Sequence, residues 1–230
     1  MAGDTPGARL VLATHNQGKV RELRAMLADA GFSDPGTVVD AGAVGLGDVV
    51  ETGTTFQENA LLKARAAAAE SGLIALADDS GLAVDVMGGA PGIFSARWSG
   101  THGDDAANLR LLLSQLSDIA PEHRGARFVC AAAVVDPRGA EHVVVGELPG
   151  RILDEPVGEN GFGYDPVFAP DGEDGLSCAQ LSPEHKNRIS HRARAMAAVL
   201  PRVLELLGPN PVPGAGERTG AVPHEPGSEG

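Results

Sequence analysis

ARFVCAAAVVDPRGAEHVVVGEL, residues 126–148, decides the fold class. Two apolar runs flank Pro137-Arg138-Gly139, a turn signal, so the stretch predicts a β-hairpin at the centre of a sheet. Working outward, RLVLATHNQGKVRELRAML (9–27) is a short apolar run that opens into apolar residues at Val20, Leu23, Met26 and Leu27, which reads as strand, loop and helix. A strand leading into a helix beside an antiparallel hairpin makes the fold α/β with a mixed sheet.

Residues 52–71 carry Thr55 and Glu58 three apart, a capping box, ahead of the strong helix formers NALLKARAAAAE. LIALADD and LAVDV read as two strands flanking Ser80-Gly81, which puts the acid pair Asp78-Asp79 at a strand end, and GGAPG (88–92) reads as a loop. DDAANLRLLLSQL (104–116) is an amphipathic helix with acids at the positive end of its dipole. After the loop GENGFGYDPVF, a last helix is expected to be capped by Ser190 and to run toward Leu207 with a bend at Pro201.

The 230 residues suit one domain, 1–207, followed by a disordered tail, 208–230, whose 23 residues include eleven Gly or Pro and no Leu, Ile or Phe. A formal charge of −13 without any basic run excludes a nucleic-acid polyanion as partner but still permits a small phosphorylated ligand beside a few convergent cations. No apolar stretch reaches the roughly 18 residues of a membrane helix, and MAGDTPGARL lacks the order of a signal peptide. With two cysteines at no metal or disulfide spacing, a soluble protein of the reducing cytoplasm is expected.

Lysine is scarce: Lys19, Lys63 and Lys186 stand against fifteen arginines. An ammonium is a compact point charge suited to phosphate, whereas guanidinium serves most solvated surfaces, so each lysine marks a segment worth reading. Thr14-His15-Asn16-Gln17-Gly18-Lys19 lies at a strand-to-helix turn, where backbone N–H groups, Asn16 and Lys19 can meet an anion, although it lacks both standard glycine fingerprints. Lys63 reads as a solvated helix residue unless Glu51 and Glu58 give it a role. Glu51, Asp78 and Asp79 are hard oxygen donors that suit Mg²⁺, while DDSG can equally be an aspartate-rich turn that caps its own amides. GFGYD offers an aromatic face at Phe162 or Tyr164, or else core packing, with Asp165 beside it. His191 and Arg192 can donate to a carbonyl or lie on the surface.

LVLATHNQGKVRELRAML, ETGTTFQENALLKA, ALADDSGLAVDVMGGAPGIFSARWSG, GFGYDPVF and LSPEHKNRISHRARA, in this order, closely resemble the noncanonical purine nucleoside triphosphate pyrophosphatases, the ITPase or dITP/XTP pyrophosphatase family, over residues 9–207. The resemblance is most specific from Ala77 to Gly100, and His15 falls where the family varies. It implies an elongated mixed sheet flanked by helices in two lobes, a nucleotide cleft between them, and a homodimer. It further implies that Thr14 to Lys19 cradle phosphates with Lys63, and that Glu51 and Asp79 serve Mg²⁺ with Asp79 as proton acceptor. Ser80 would contact substrate; Phe162, Gly163, Tyr164 and Asp165 would form the base and sugar wall; Lys186, His191 and Arg192 would read the purine 6-keto edge. The implied activity is hydrolysis of ITP, dITP and XTP to monophosphate and pyrophosphate. A pyrimidine nucleotide pyrophosphatase of the similarly folded Maf type and a non-catalytic nucleotide-binding module remain as alternatives.

Overall fold

The computed structural model describes residues 7–32 and 34–209. Six strands form one mixed sheet in the order β2-β1-β3-β4-β5-β6. The strands are β1 (Leu10–Leu12), β2 (Val38–Asp40), β3 (Ile74–Val84), β4 (Gly125–Val135), β5 (Glu141–Ile152) and β6 (Phe168–Pro170). β1 pairs in parallel with β2 and β3, whereas β3, β4, β5 and β6 are antiparallel in turn. The hairpin of 126–148 is therefore present as β4 and β5, with the turn closed by Gly139 N–H donating to the Asp136 carbonyl at 2.8 Å.

The helices are α1 (Gln17–Asp29), α2 (Phe56–Ser71), α3 (Asp105–Gln115), α4 (Pro183–Ile189) and α5 (His191–Leu207). α1 and α5 pack on one face of the sheet, where Val20, Leu23, Met196 and Val199 meet Leu10, Leu12, Leu76 and Cys130. α2 covers the other face, and its small Ala60, Ala64 and Ala67 pack with Val11, Ala75 and Ala77. A third cluster surrounds α3 at the far ends of the long strands, built from Leu82, Val84, Phe128, Leu148 and Tyr164. β3, β4 and β5 thus bridge the first two clusters, on opposite faces at one end, and the third at the other.

Local chemistry explains the helix limits. Thr55 Oγ1 accepts from Glu58 N–H at 3.1 Å, but Glu58 returns its carboxylate to Thr54 N–H at 2.6 Å, one residue earlier than a capping box expects. Gly72, with φ of 69°, ends α2 in the left-handed region. Ser190 caps α5 by accepting from Ala193 N–H at 3.0 Å, and the helix continues through Pro201 to Leu207.

Two sequence expectations change. Residues 74–84 form one strand, not two, paired without interruption from Ala75↔Val135 to Val84↔Ala126. Gly81 is not a turn residue: a Cβ there would lie 2.5 Å from Ser95 Oγ and 2.6 Å from the Gly92 carbonyl, so glycine permits the 92–97 turn to close on the strand. Consequently Asp78 and Asp79 sit in mid-strand. Their distinction is that β1 pairing stops at Leu12↔Leu76, which leaves that edge of β3 open just before the acids. The short β2, β6 and α4 lay in segments without a predicted element. The expected tail lies outside the described residues from 210 onward.

Candidate functional site

Strand alternation sends the two aspartates to opposite faces. Asp78 faces the α1 and α5 side, where its Oδ2 accepts from Lys19 Nζ at 2.6 Å and lies 3.7 Å from Arg192 Nε. Its side chain is only 3% exposed. Burial pushes this carboxyl up, but the Lys19 ammonium and the Arg192 guanidinium more than offset it, and the group is held below the ordinary aspartate value. Arg192 Nη1 also donates to Glu22 of α1, while its Nε and Nη2 are buried without a hydrogen-bond partner. Beside it, the His191 ring stacks on Phe128 with centroids 5.0 Å apart, and its Nδ1 is likewise buried and unpartnered. Burial, then the nearby Lys186 charge, lower the His191 pKa to about 4, so the ring is neutral near pH 7.

Asp79 faces α2. Its Oδ1 accepts from Lys63 Nζ at 3.2 Å and its Oδ2 from Asn59 Nδ2 at 3.2 Å, two residues one helical turn apart. Lys63 also donates to Glu51 Oε1 at 2.8 Å. Burial raises the Asp79 pKa, Lys63 opposes it, and the Glu51 charge adds to the rise, leaving the carboxyl above its usual value. Lys63 is itself held protonated: burial disfavours its charge, but Asp79 and Glu51 outweigh that cost.

Among the described residues, no group of three or more His, Cys, Asp or Glu could hold a metal unaided. Glu51 and Asp79 do converge on Lys63, and two hard carboxylates fit an Mg²⁺ that keeps its other positions for water and phosphate oxygens. Asp78 leaves the set of candidate ligands, because it is sealed on the opposite face under Lys19.

The loop from Thr14 to Lys19 is organised by Asn16, which caps α1. Its Oδ1 accepts from the N–H groups of Gly18 at 2.8 Å and Lys19 at 3.3 Å, and Thr14 Oγ1 accepts from Asn16 N–H at 3.2 Å. Two amides expected to face an anion are therefore taken by the cap, and Gln17 Nε2 is taken by Asp40. Thr14 and His15 line a cleft of about 650 Å³ together with Glu51, Lys63, Arg97 and His102.

In GFGYD the structure separates the two aromatic alternatives. Phe162 is 77% exposed, with Lys186 Nζ 4.7 Å from its ring centroid. Tyr164 is in the core, and its hydroxyl donates to the Ser95 carbonyl at 2.9 Å, so its ring is not an open stacking face. Asp165 is buried, accepts from Phe162 N–H at 2.8 Å and receives Lys186 Nζ. Gly163 N–H donates to Asp105 of α3 at 2.8 Å, which ties this wall to the helix of the third cluster. Ser80 is exposed on the Asp78 side of β3.

Sequence reading missed Glu22, Asn59, Arg97, His102 and Asp105. Spacing was the available signal for two of them, since Glu22 follows Lys19 by three and Asn59 precedes Lys63 by four, both same-face intervals on a helix.

A family model described as the Ham1 family matches residues 10–202. The dITP/XTP pyrophosphatase of Streptomyces avermitilis is 62% identical over 200 residues, covering 87% of this chain and 99% of that protein. A Mycobacterium abscessus structure described as nucleoside-triphosphatase / dITP/XTP pyrophosphatase is 49% identical with a TM-score of 0.72, covering 84% of this chain and 99% of that one. A HAM1 protein structure from Coxiella burnetii reaches a TM-score of 0.78 at 37% identity, covering 86% and 99%. With the match extending over the whole sheet and both aspartate faces, the chain belongs to the Ham1 family.

Proposed function

We propose that this protein is an Mg²⁺-dependent nucleoside triphosphate pyrophosphatase that hydrolyses dITP, XTP and ITP to the monophosphate and pyrophosphate, removing these nucleotides from the pool. The observation that carries the reading is the pair of buried, unpartnered polar atoms on the Asp78 face, Arg192 Nη2 and His191 Nδ1. A buried polar atom without a partner costs about 1 to 3 kcal/mol, so these atoms favour a ligand that pairs with them. A 6-keto purine supplies an acceptor there, whereas adenine presents an amino group to donors.

On the Asp79 face, Glu51 and Asp79 would hold Mg²⁺, which supplies charge neutralisation for the phosphates. Lys63 bridges the same carboxylates, so a shared cation requires it to release at least one of them. Asp79 accepts the proton of the attacking water, as its position on the open edge of β3 allows. Lys63 and Lys19 then offset the charge that gathers on the leaving pyrophosphate. Lys186 sits over Phe162, whose exposed ring offers a flat base a stacking surface.

We place the protein in the cytoplasm as a homodimer that binds neither nucleic acid nor membrane; no helix among the described residues is long and apolar enough to cross one. The activity is tested by pyrophosphate release from dITP, XTP, dGTP and dATP with Mg²⁺ and with EDTA. Release from dITP and XTP only with the metal is expected; equal turnover of dATP, or turnover in EDTA, contradicts the reading.

A further inference from the structure

We propose that Asp78 is a positioning residue that ties the phosphate-side Lys19 to the base-side Arg192, so that the two ends of a nucleotide are recognised as one unit. Both cations meet the same oxygen, Asp78 Oδ2, at 2.6 Å from Lys19 Nζ and 3.7 Å from Arg192 Nε. Lys19 comes from the start of α1, and the proposed function assigns it to the leaving pyrophosphate; Arg192 comes from the start of α5, and the proposed function assigns it to the base. Glu22, one turn along α1 from Lys19, closes the circuit by accepting from Arg192 Nη1. The four side chains form a continuous ionic link between two helices that are far apart in sequence.

The carboxylate itself is 3% exposed and lies on the face opposite Asp79, so it is out of place as a metal ligand or proton acceptor. Its position suits a different task. A buried carboxylate shared by two cations holds each one against its neighbours and screens their mutual repulsion. When one cation is removed, the carboxylate draws more strongly on the other and moves it from the geometry that serves the nucleotide. The effects of losing Lys19 and Arg192 on binding are therefore not independent, although the two residues meet opposite ends of the ligand.

This inference rests on the proposed nucleotide reading, and its test separates the two. The affinity of the Mg²⁺-loaded full chain for α,β-methylene dITP, which is not hydrolysed between those phosphates, is measured by calorimetry for wild type, Lys19→Gln, Arg192→Ala and the double variant. The double variant is expected to bind at least about fivefold more tightly than the product of the single losses implies. In the Asp78→Asn background the same cycle is expected to be additive; Asp78→Ser serves there if Asp78→Asn does not fold. Additive losses with native Asp78 overturn the proposal without any change at that position, and undiminished coupling in the Asp78→Asn background overturns it by routing the coupling elsewhere. Failure of the functional reading looks different: wild type would neither bind the analogue nor release pyrophosphate from dITP.

Discussion

Asp78 and Asp79 are the same residue one peptide apart, and the sheet gives them opposite surroundings. Asp78 lies under α1 and α5 against two cations and is held ionised below its ordinary value. Asp79 lies under α2 with a like charge at Glu51 and one shared ammonium, and is pushed above its ordinary value. The difference teaches that role follows environment: a carboxylate already satisfied by buried cations organises a site, whereas one left short of positive charge is available for a metal or a proton.

The largest effect that sharpens this contrast is on stability. Asp78→Ala strands the Lys19 and Arg192 charges without their shared counter-ion, and removal of one member of a buried pair costs on the order of 3 to 5 kcal/mol. Denaturant unfolding of Asp78→Ala beside Asp79→Ala should show the larger loss at Asp78; the reverse order breaks the comparison.

Next comes catalysis. Asp79→Asn should lower kcat for dITP by about 10²-fold or more, the usual cost of a lost general base, with a melting temperature near that of wild type. A variant with near-normal kcat removes Asp79 from the chemistry.

pH gives the third effect. His191 has a folded pKa of about 4 against an ordinary value of 6.5, so the unfolded chain takes up a proton first as the pH falls. Its contribution to stability is complete above pH 6.5 and is lost progressively toward pH 4, a loss of about 3 kcal/mol at 1.36 kcal/mol per unit. His191→Phe should flatten the stability profile in that window, and an unchanged slope assigns the acid sensitivity to other groups.

The smallest effect calibrates the first. Arg65 and Glu141 form a two-pronged ion pair at 2.7 and 2.6 Å on the exposed side of α2. Arg65→Ala should cost about 0.2 to 1 kcal/mol, as exposed pairs do. A cost equal to that of Asp78→Ala would mean that burial does not set the difference.

The sequence carried the mixed sheet plainly, because the 126–148 hairpin and the Thr55 and Ser190 caps are local signals. It misled at Ser80-Gly81, where a turn-like dipeptide stands inside a long strand because the 92–97 turn needs room against Gly81. That one misreading hid the division of the acids, since alternation across a continuous strand places Asp78 and Asp79 on opposite faces. β2 and β6, three residues each, and α4, seven residues, are too short for periodicity to register. Phe162 and Tyr164 were equivalent in sequence; only the fold sends one ring out and the other to Ser95. The ionic circuit through Glu22 joins positions 170 apart and has no local signature.

The most direct test of the division between the faces compares base selection in two variants. With dITP and dATP as substrates, Arg192→Ala on the Asp78 face should lower the kcat/KM ratio of dITP to dATP by roughly 5- to 150-fold, the value of a lost buried hydrogen bond. Lys63→Ala on the Asp79 face should depress both substrates alike and leave the ratio near its wild-type value. A ratio preserved in Arg192→Ala, or one that falls equally in Lys63→Ala, would contradict the account.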